Sequence, residues 1–408
     1  MTAQNDRARD ASAWPCPKAR AAGNGLILTA IILLALNLRP VMAGLGPLLD
    51  LIESSTGLSS AEAGLLTTLP VFLLGLGAFA GGRLRRRFGT KRVIALGIAT
   101  IALACASRAV WNDAFGMLAT AAGAGLGIAV IQALLPGVIK ERFGAGVGRA
   151  MGLYTTAIMG GAAFAAATAS GLARALDWPG ALAVWALPAA VATIGWLALP
   201  LASQTTAATL NAMSDPLLRK GRAWTLMLFF GIGTGAYTLV LAWLPPYYMS
   251  LGQSRDMSGY LLAGLTVAEV LAGLGVSAVI GRFPDRRGPL VAVLLCIFAG
   301  LVCLVASPLS LALPAVLLLG LGIGALFPLS LIVTLDHVDD PVRAGELAAF
   351  VQGGGYIVAS LAPFFAGAVR DRFADLSGAW EAMAVAILLS IAIASRLSSS
   401  SYRLLSRD

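Results

Sequence analysis

Charge is scarce in this sequence. Of 408 residues only 12% are Asp, Glu, Lys or Arg, about half the share that coats an average soluble domain, so a water-facing globular protein is excluded. Histidine is scarcer still, with His337 alone, and the four cysteines, Cys16, Cys105, Cys296 and Cys303, contain no C-x-x-C pair. These absences exclude a disulfide framework and leave no metal site or cofactor to expect. No H-E-x-x-H or G-x-S-x-G motif and no convergent set of nucleophile and base are present, so an enzyme is not expected either.

What the chain does have is apolar length. Hydrophobic residues make up 58% of it and the mean hydropathy is +0.84. A helix crossing the hydrocarbon needs about 20 mostly apolar residues, and cutting the chain at charges and polar runs yields twelve such stretches. They run 25–51, 61–82, 93–110, 114–139, 147–172, 179–199, 223–251, 257–281, 289–306, 310–335, 344–369 and 380–394. The reading is an all-α polytopic membrane protein. The longest polar interruption, 201–222, is a linker that divides the spans into bundles at 25–200 and 223–394, with tails at 1–24 and 395–408.

The net charge of +9 comes from 29 Lys and Arg against 20 Asp and Glu. With the amino terminus placed inside, the basic residues concentrate on one side. Only Arg174, Arg255, Arg370 and Arg372 fall outside, while Arg39 and Arg108 fall within spans. Basic residues resist translocation, so both termini are predicted to be cytoplasmic, in a bacterial-type inner membrane. The basic excess thereby has an explanation that needs no nucleic acid.

The two bundles repeat one pattern. GRLRRRFG at 82–89 is answered by GRFPDRRG at 281–288, and Leu45-Gly46-Pro47 by Leu244-Pro245-Pro246. Gly125-Leu126-Gly127-Ile128 recurs as Gly320-Leu321-Gly322-Ile323, and Gly160-Gly161 as Gly354-Gly355. Four matches in register predict two pseudo-symmetric six-helix bundles. Parallel repeats of this kind place a substrate site between them near the midplane, where rocking exposes it to either side.

The repeated loop resembles the signature of the major facilitator superfamily. The second copy keeps it in full at Gly281, Phe283, Asp285, Arg286 and Gly288; the first keeps Gly82, Arg87 and Gly89 but has Arg86 where the carboxylate stands. The resemblance implies a conformational latch at these loops, whereas the residues alone read as a positive-inside anchor. A closer resemblance, to the cyanate and 2-nitroimidazole transporter family, is carried by several segments. They are Asn37-Leu38-Arg39-Pro40, Gly46-Pro47-Leu48, Gly57-Leu58-Ser59 and the run from Ala63 to Pro70. Leu335-Asp336-His337 and the run from Ala349 to Tyr356 are similar to the 2-nitroimidazole branch in particular. The implied function is secondary active transport of a small planar or anionic solute, with a proton as coupling ion and a monomer in the bilayer. An exporter of small aromatic compounds is the alternative. A receptor is disfavoured because no sensing domain is attached.

Arg39 is the leading candidate residue. It lies near mid-bilayer, where an arginine costs about 2.5–3.5 kcal/mol on the insertion scale. Its planar fork of donors suits carboxylate-like or nitro-like oxygens; a structural ion pair, or a cap for carbonyls freed at Pro40, is the other reading. Glu269 is also near the midplane and can carry a proton, or sit in a fixed salt bridge with Arg39 or Arg108. Arg108, near the end of span three, is expected to snorkel to the interface. Gln132, Tyr154, Tyr237, Trp243, Gln352 and Tyr356 can offer hydrogen bonds and stacking to a planar solute, with core packing or the interfacial belt as the alternative, for Trp243 especially. Asp336 and His337 end span ten, where they release a proton or simply form a solvated terminus.

Overall fold

The computed structural model describes residues 17–143, 146–199, 220–338 and 341–397. Among the described residues all regular structure is helical. Eleven helices of the described residues are long and apolar enough to cross a membrane. Spans two to four are Ser60–Phe88, Thr90–Ser107 and Ala114–Phe143; spans seven to twelve are Gly221–Ser250, Arg255–Val279, Arg287–Ala306, Ala312–Leu335, Pro341–Phe373 and Ser377–Ser395. Span five begins the helix Val147–Ala183, which folds back at Asp177, where φ is 60°. The Asp177 carboxylate accepts the Gly180 N–H at 2.9 Å and so caps the returning leg. That leg continues as Ala186–Ala198 and is the sixth crossing. Its far end meets the start of span three, where the Lys91 ammonium donates to the Leu199 carbonyl at 2.6 Å and the Trp196 indole to the Lys91 carbonyl at 3.1 Å.

Twelve crossings arrange as two like bundles. Span four packs between two and three, as span ten does between eight and nine. The repeated glycines explain the match. A Cβ on Gly125 would meet Pro70 of span two, and one on Gly320 the Leu265 carbonyl of span eight. Gly127 faces Gly97 of span three just as Gly322 faces Ile297 of span nine. Small residues let these backbones touch, which replaces the hydrophobic drive that lipid does not supply. Between the bundles, span two lies along span eleven and span five along span eight, the two seams being related by the repeat.

Span one departs from the single helix expected over 25–51. It runs Pro17–Leu36, breaks, resumes at Pro40–Ala43, tightens at Gly46–Leu48 and ends as Leu49–Thr56. Pro40 has no N–H to return to Leu36. The Leu33 carbonyl also loses its helical donor, because the Asn37 N–H turns to the Leu34 carbonyl at 3.1 Å, and the Asn37 side-chain amide replaces it at 2.7 Å. Further on, the Leu45 N–H turns to the Met42 carbonyl at 3.1 Å, which deprives the Val41 carbonyl of its helical donor. Arg108 supplies one, its Nη1 reaching Val41 at 3.2 Å while its Nε donates to the Thr120 hydroxyl at 3.2 Å. Arg108 is fully buried and does not snorkel. A carbonyl stranded in hydrocarbon must be bonded from within the protein, and that demand holds the guanidinium inside.

Candidate functional site

The break in span one presents Arg39 to the contact between the bundles. Its side chain is buried, and its guanidinium carbon lies 5.4 Å from the centre of the Tyr237 ring on span seven. Nη1 touches the Met42 sulfur at 3.8 Å, and Nε has no partner. Tyr154 of span five, Tyr356 of span eleven and Glu269 of span eight are also within electrostatic reach of Arg39. The Tyr154 hydroxyl lies against Gln132 of span four without closing a hydrogen bond. Residues from six spans and both bundles therefore converge.

Their polar atoms are left open. Arg39 Nε, Gln132 Oε1, the Tyr154 and Tyr237 hydroxyls and both oxygens of Glu269 are buried without a protein partner. Each such group costs about 1–3 kcal/mol when unmatched, and six in one place are a polar cluster in an apolar bundle. Glu269 forms no ion pair, so a fixed salt bridge to Arg39 or Arg108 is not made. Its backbone is pinned by Gly324 of span ten, where a Cβ would strike the Glu269 carbonyl. Tyr356 stacks edge-on against Phe230 of span seven at 5.5 Å, and Gln352, half-buried, lies one turn from it.

Trp243 is not part of this cluster. It is completely buried, donates to the Pro363 carbonyl at 2.8 Å and is covered by the Arg370 guanidinium at 5.4 Å. An indole with its N–H bonded and its ring face occupied has nothing left for a solute. His337 likewise departs from the expected solvated terminus. It is buried rather than solvated; its Nδ1–H meets the Val333 carbonyl and its Nε2 accepts from Arg222 Nε at 3.2 Å. Burial first, and the Arg222 cation after it, push its pKa down to about 4, against the Val333 carbonyl and Asp336. A ring held neutral between an acceptor and a cation anchors span seven to span ten and does not carry a proton near pH 7. Asp336 is taken by Arg286, Nε to Oδ2 at 3.0 Å.

That ion pair belongs to the signature loop. Arg286 also donates to the carbonyls of Ile280 and Phe283, and Asp285 accepts from Arg287 at 2.6 Å, whose hydrogen bonds hold its carboxyl below the usual range. Gly281 and Gly288 flank these bonds, all of which stay within the second bundle. In the first copy, Arg87 is exposed beside Phe88, and Gly89 turns with φ of 77° into span three; the side-chain surroundings at 82–86 lie outside the described residues.

Polar bonds do join the bundles, at the opposite end, near Gly57. Arg370 pairs with Glu53 at 3.1 Å, Arg255 with Asp50 at 2.7 Å and Arg174 with Asp256 at 2.8 Å. The Asp371 carboxylate accepts the N–H groups of Ser60 and Ala61, each at 2.8 Å. Deeper in the same seam, the Thr68 hydroxyl donates to the Ser360 carbonyl at 2.6 Å. The sequence held a signal for this clamp: three of the four basic residues assigned outside, Arg174, Arg255 and Arg370, are its cations.

Two like six-helix bundles meeting at a shared polar cluster are the arrangement of a multi-pass membrane transporter of a small molecule. A family model of the Major Facilitator Superfamily matches residues 26–363, and the chain belongs to that family. It is 37% identical over 351 residues to a cyanate transport protein of Escherichia coli (strain K12), covering 85% of this chain and 90% of that protein. To a 2-nitroimidazole transporter of the same strain it is 31% identical over 383 residues, covering 91% and 95%. Identity to the first exceeds identity to the second. Among solved structures, a nucleoside transporter superposes with a TM-score of 0.76 at 12% identity, covering 91% of this chain and 99% of that one. A D-xylose-proton symporter does so at 0.72 and 15%, covering 91% and 96%. At such identities the likeness is one of fold.

Proposed function

We propose that this chain moves a small planar or anionic solute, with cyanate as the first candidate, across the membrane by alternating access, with Arg39 as the substrate anchor and Glu269 as the proton carrier. The observation that carries the reading is the set of six unmatched polar atoms around Arg39. A guanidinium supplies charge and a fork of donors to an anion, the tyrosine hydroxyls complete its hydrogen bonds, and the rings bound it above and below. Protonated, Glu269 donates to the anion; ionised, it repels it, which ties proton and substrate movement together. One relative named above is a cyanate transport protein and another a 2-nitroimidazole transporter, which accords with this reading. The bundles rock as bodies of 25–200 and 223–394, both termini face the cytoplasm of a bacterial-type inner membrane, and the Gly57 end is the outer one. One chain completes the site and works as a monomer.

The aromatic lining, with Tyr356 braced by Phe230, favours a second cargo, a small aromatic such as a nitroimidazole. Proteoliposomes tested with labelled cyanate and with 2-nitroimidazole, with and without an imposed pH gradient, decide among these. Saturable cyanate flux that the gradient accelerates is expected. Flux of neither probe above protein-free vesicles refutes the substrate reading, and indifference to the gradient refutes the proton.

A further inference from the structure

Arg39 brings a full positive charge to the meeting of the bundles, and no carboxylate pairs with it. Glu269 lies within electrostatic reach without closing an ion pair, and the two groups in contact with the guanidinium are neutral. The Met42 sulfur sits on span one and travels with Arg39. The Tyr237 ring, 5.4 Å away, sits on span seven of the other bundle and does not. The ring contact therefore exists only while the bundles are drawn together around the guanidinium.

We propose that the face of Tyr237 stands in for the substrate: it covers Arg39 in the empty carrier, so that the bundles can close and reorient without cargo. The proposal rests on the reading of Arg39 as substrate anchor. A bare cation closed into a dry interface is penalised by its lost hydration, and a carrier built so would reorient only when loaded, as an obligatory exchanger. A ring face offsets part of that penalty through its quadrupole. A fixed carboxylate would offset more, but it would hold Arg39 against an anionic substrate. The weaker contact is the one a substrate can displace, and the site therefore supports net movement of cargo. The Tyr237 hydroxyl, which is buried without a partner, has a separate task in meeting the substrate, so ring and hydroxyl can be tested apart.

The test compares two fluxes of labelled cyanate from the same proteoliposomes at one fixed pH: net efflux into cyanate-free buffer, and exchange against external unlabelled cyanate. Tyr237→Leu and Tyr237→Phe both lose the hydroxyl and with it some exchange, so the reading is the ratio of net efflux to exchange: Tyr237→Leu is expected to lower that ratio about thirty-fold relative to Tyr237→Phe, the equivalent of a desolvated cation–π contact. Tyr237→Phe should keep the wild-type ratio of the two. Equal loss of both fluxes in Tyr237→Leu, or a Phe variant with the Leu ratio, overturns the proposal. Tyr237→Met replaces the Leu variant if the latter is not monodisperse. If the wild type carries neither cyanate nor 2-nitroimidazole, it is the substrate reading that fails, and the role of the ring is then read on the empty protein. Ser360 is fully buried in the seam of spans two and eleven, and a Ser360→Cys side chain reacts with an impermeant maleimide only when that seam opens. Its reaction should quicken at least five-fold in the Leu variant and stay unchanged in the Phe variant; an unchanged rate in the Leu variant overturns the proposal.

Discussion

The seam at the Gly57 end offers a perturbation whose size can be worked out beforehand. Asp371→Asn alters a carboxylate that receives two N–H bonds, from Ser60 and Ala61, at the first turn of the 29-residue helix Ser60–Phe88. Those N–H groups have no partner inside their own helix. An asparagine keeps one acceptor, turns an NH2 toward the second N–H and loses the charge that the helix dipole favours. Capping bonds of this type are worth about 0.5–2 kcal/mol, and Asp371 is exposed, so about 1–2 kcal/mol is the appropriate share. At roughly 1.4 kcal/mol per tenfold, closure weakens about five- to thirty-fold. Alkylation of Ser360→Cys in the substrate-free protein should rise by that factor. Glu53→Gln should act in the same direction, because its pair with Arg370 is largely shielded, with side chains 15% and 23% exposed. Asp256→Asn should change the rate less than about two-fold, since the Arg174 pair is open to solvent and surface pairs contribute little. Unchanged alkylation in Asp371→Asn, or an equal rise in Asp256→Asn, refutes the view that shielded polar bonds across the bundles hold this end shut.

Arg39→Ala should abolish cyanate-dependent thermal stabilisation while leaving a monodisperse protein, and Arg39→Lys should retain only a small part of it, because an ammonium lacks the planar fork; unchanged stabilisation removes Arg39 from the site. Glu269→Gln should keep exchange but lose acceleration by an imposed pH gradient, and gradient-driven accumulation at wild-type level excludes Glu269 as proton carrier. For His337 the native pKa of about 4 lies below the ordinary value of 6.5. The unfolded chain therefore takes up a proton that the native chain excludes. His337 should leave stability level above pH 6.5 and lower it as pH falls from 6.5 toward 4. A series of unfolding midpoints should fall less steeply across that window for His337→Gln than for the wild type, and parallel curves contradict the assignment.

Hydropathy is summed residue by residue along the chain, and that is why twelve crossings, the doubling of the bundle and the oddity of Arg39 and Glu269 in mid-span were legible before any coordinates. Transfer of a side chain into hydrocarbon depends on its own chemistry, and the repeated glycines report the same packing duty twice. The partner of a buried polar group is a different kind of quantity. Arg108 stands at the end of an apolar span, where its own chemistry points to the interface; the lost helical bond at Val41 in the broken first span and the Thr120 hydroxyl fix it inside. Trp243 and the Nε2 of His337 are taken by Pro363 and Arg222 from more than a hundred residues away, which no local pattern reports. Asp371 meets Ser60 across 311 positions. Composition and periodicity decide what must lie in the membrane, since water excludes apolar surface locally; which polar atoms stay unmatched, and so form a site, depends on every long-range bond being made first.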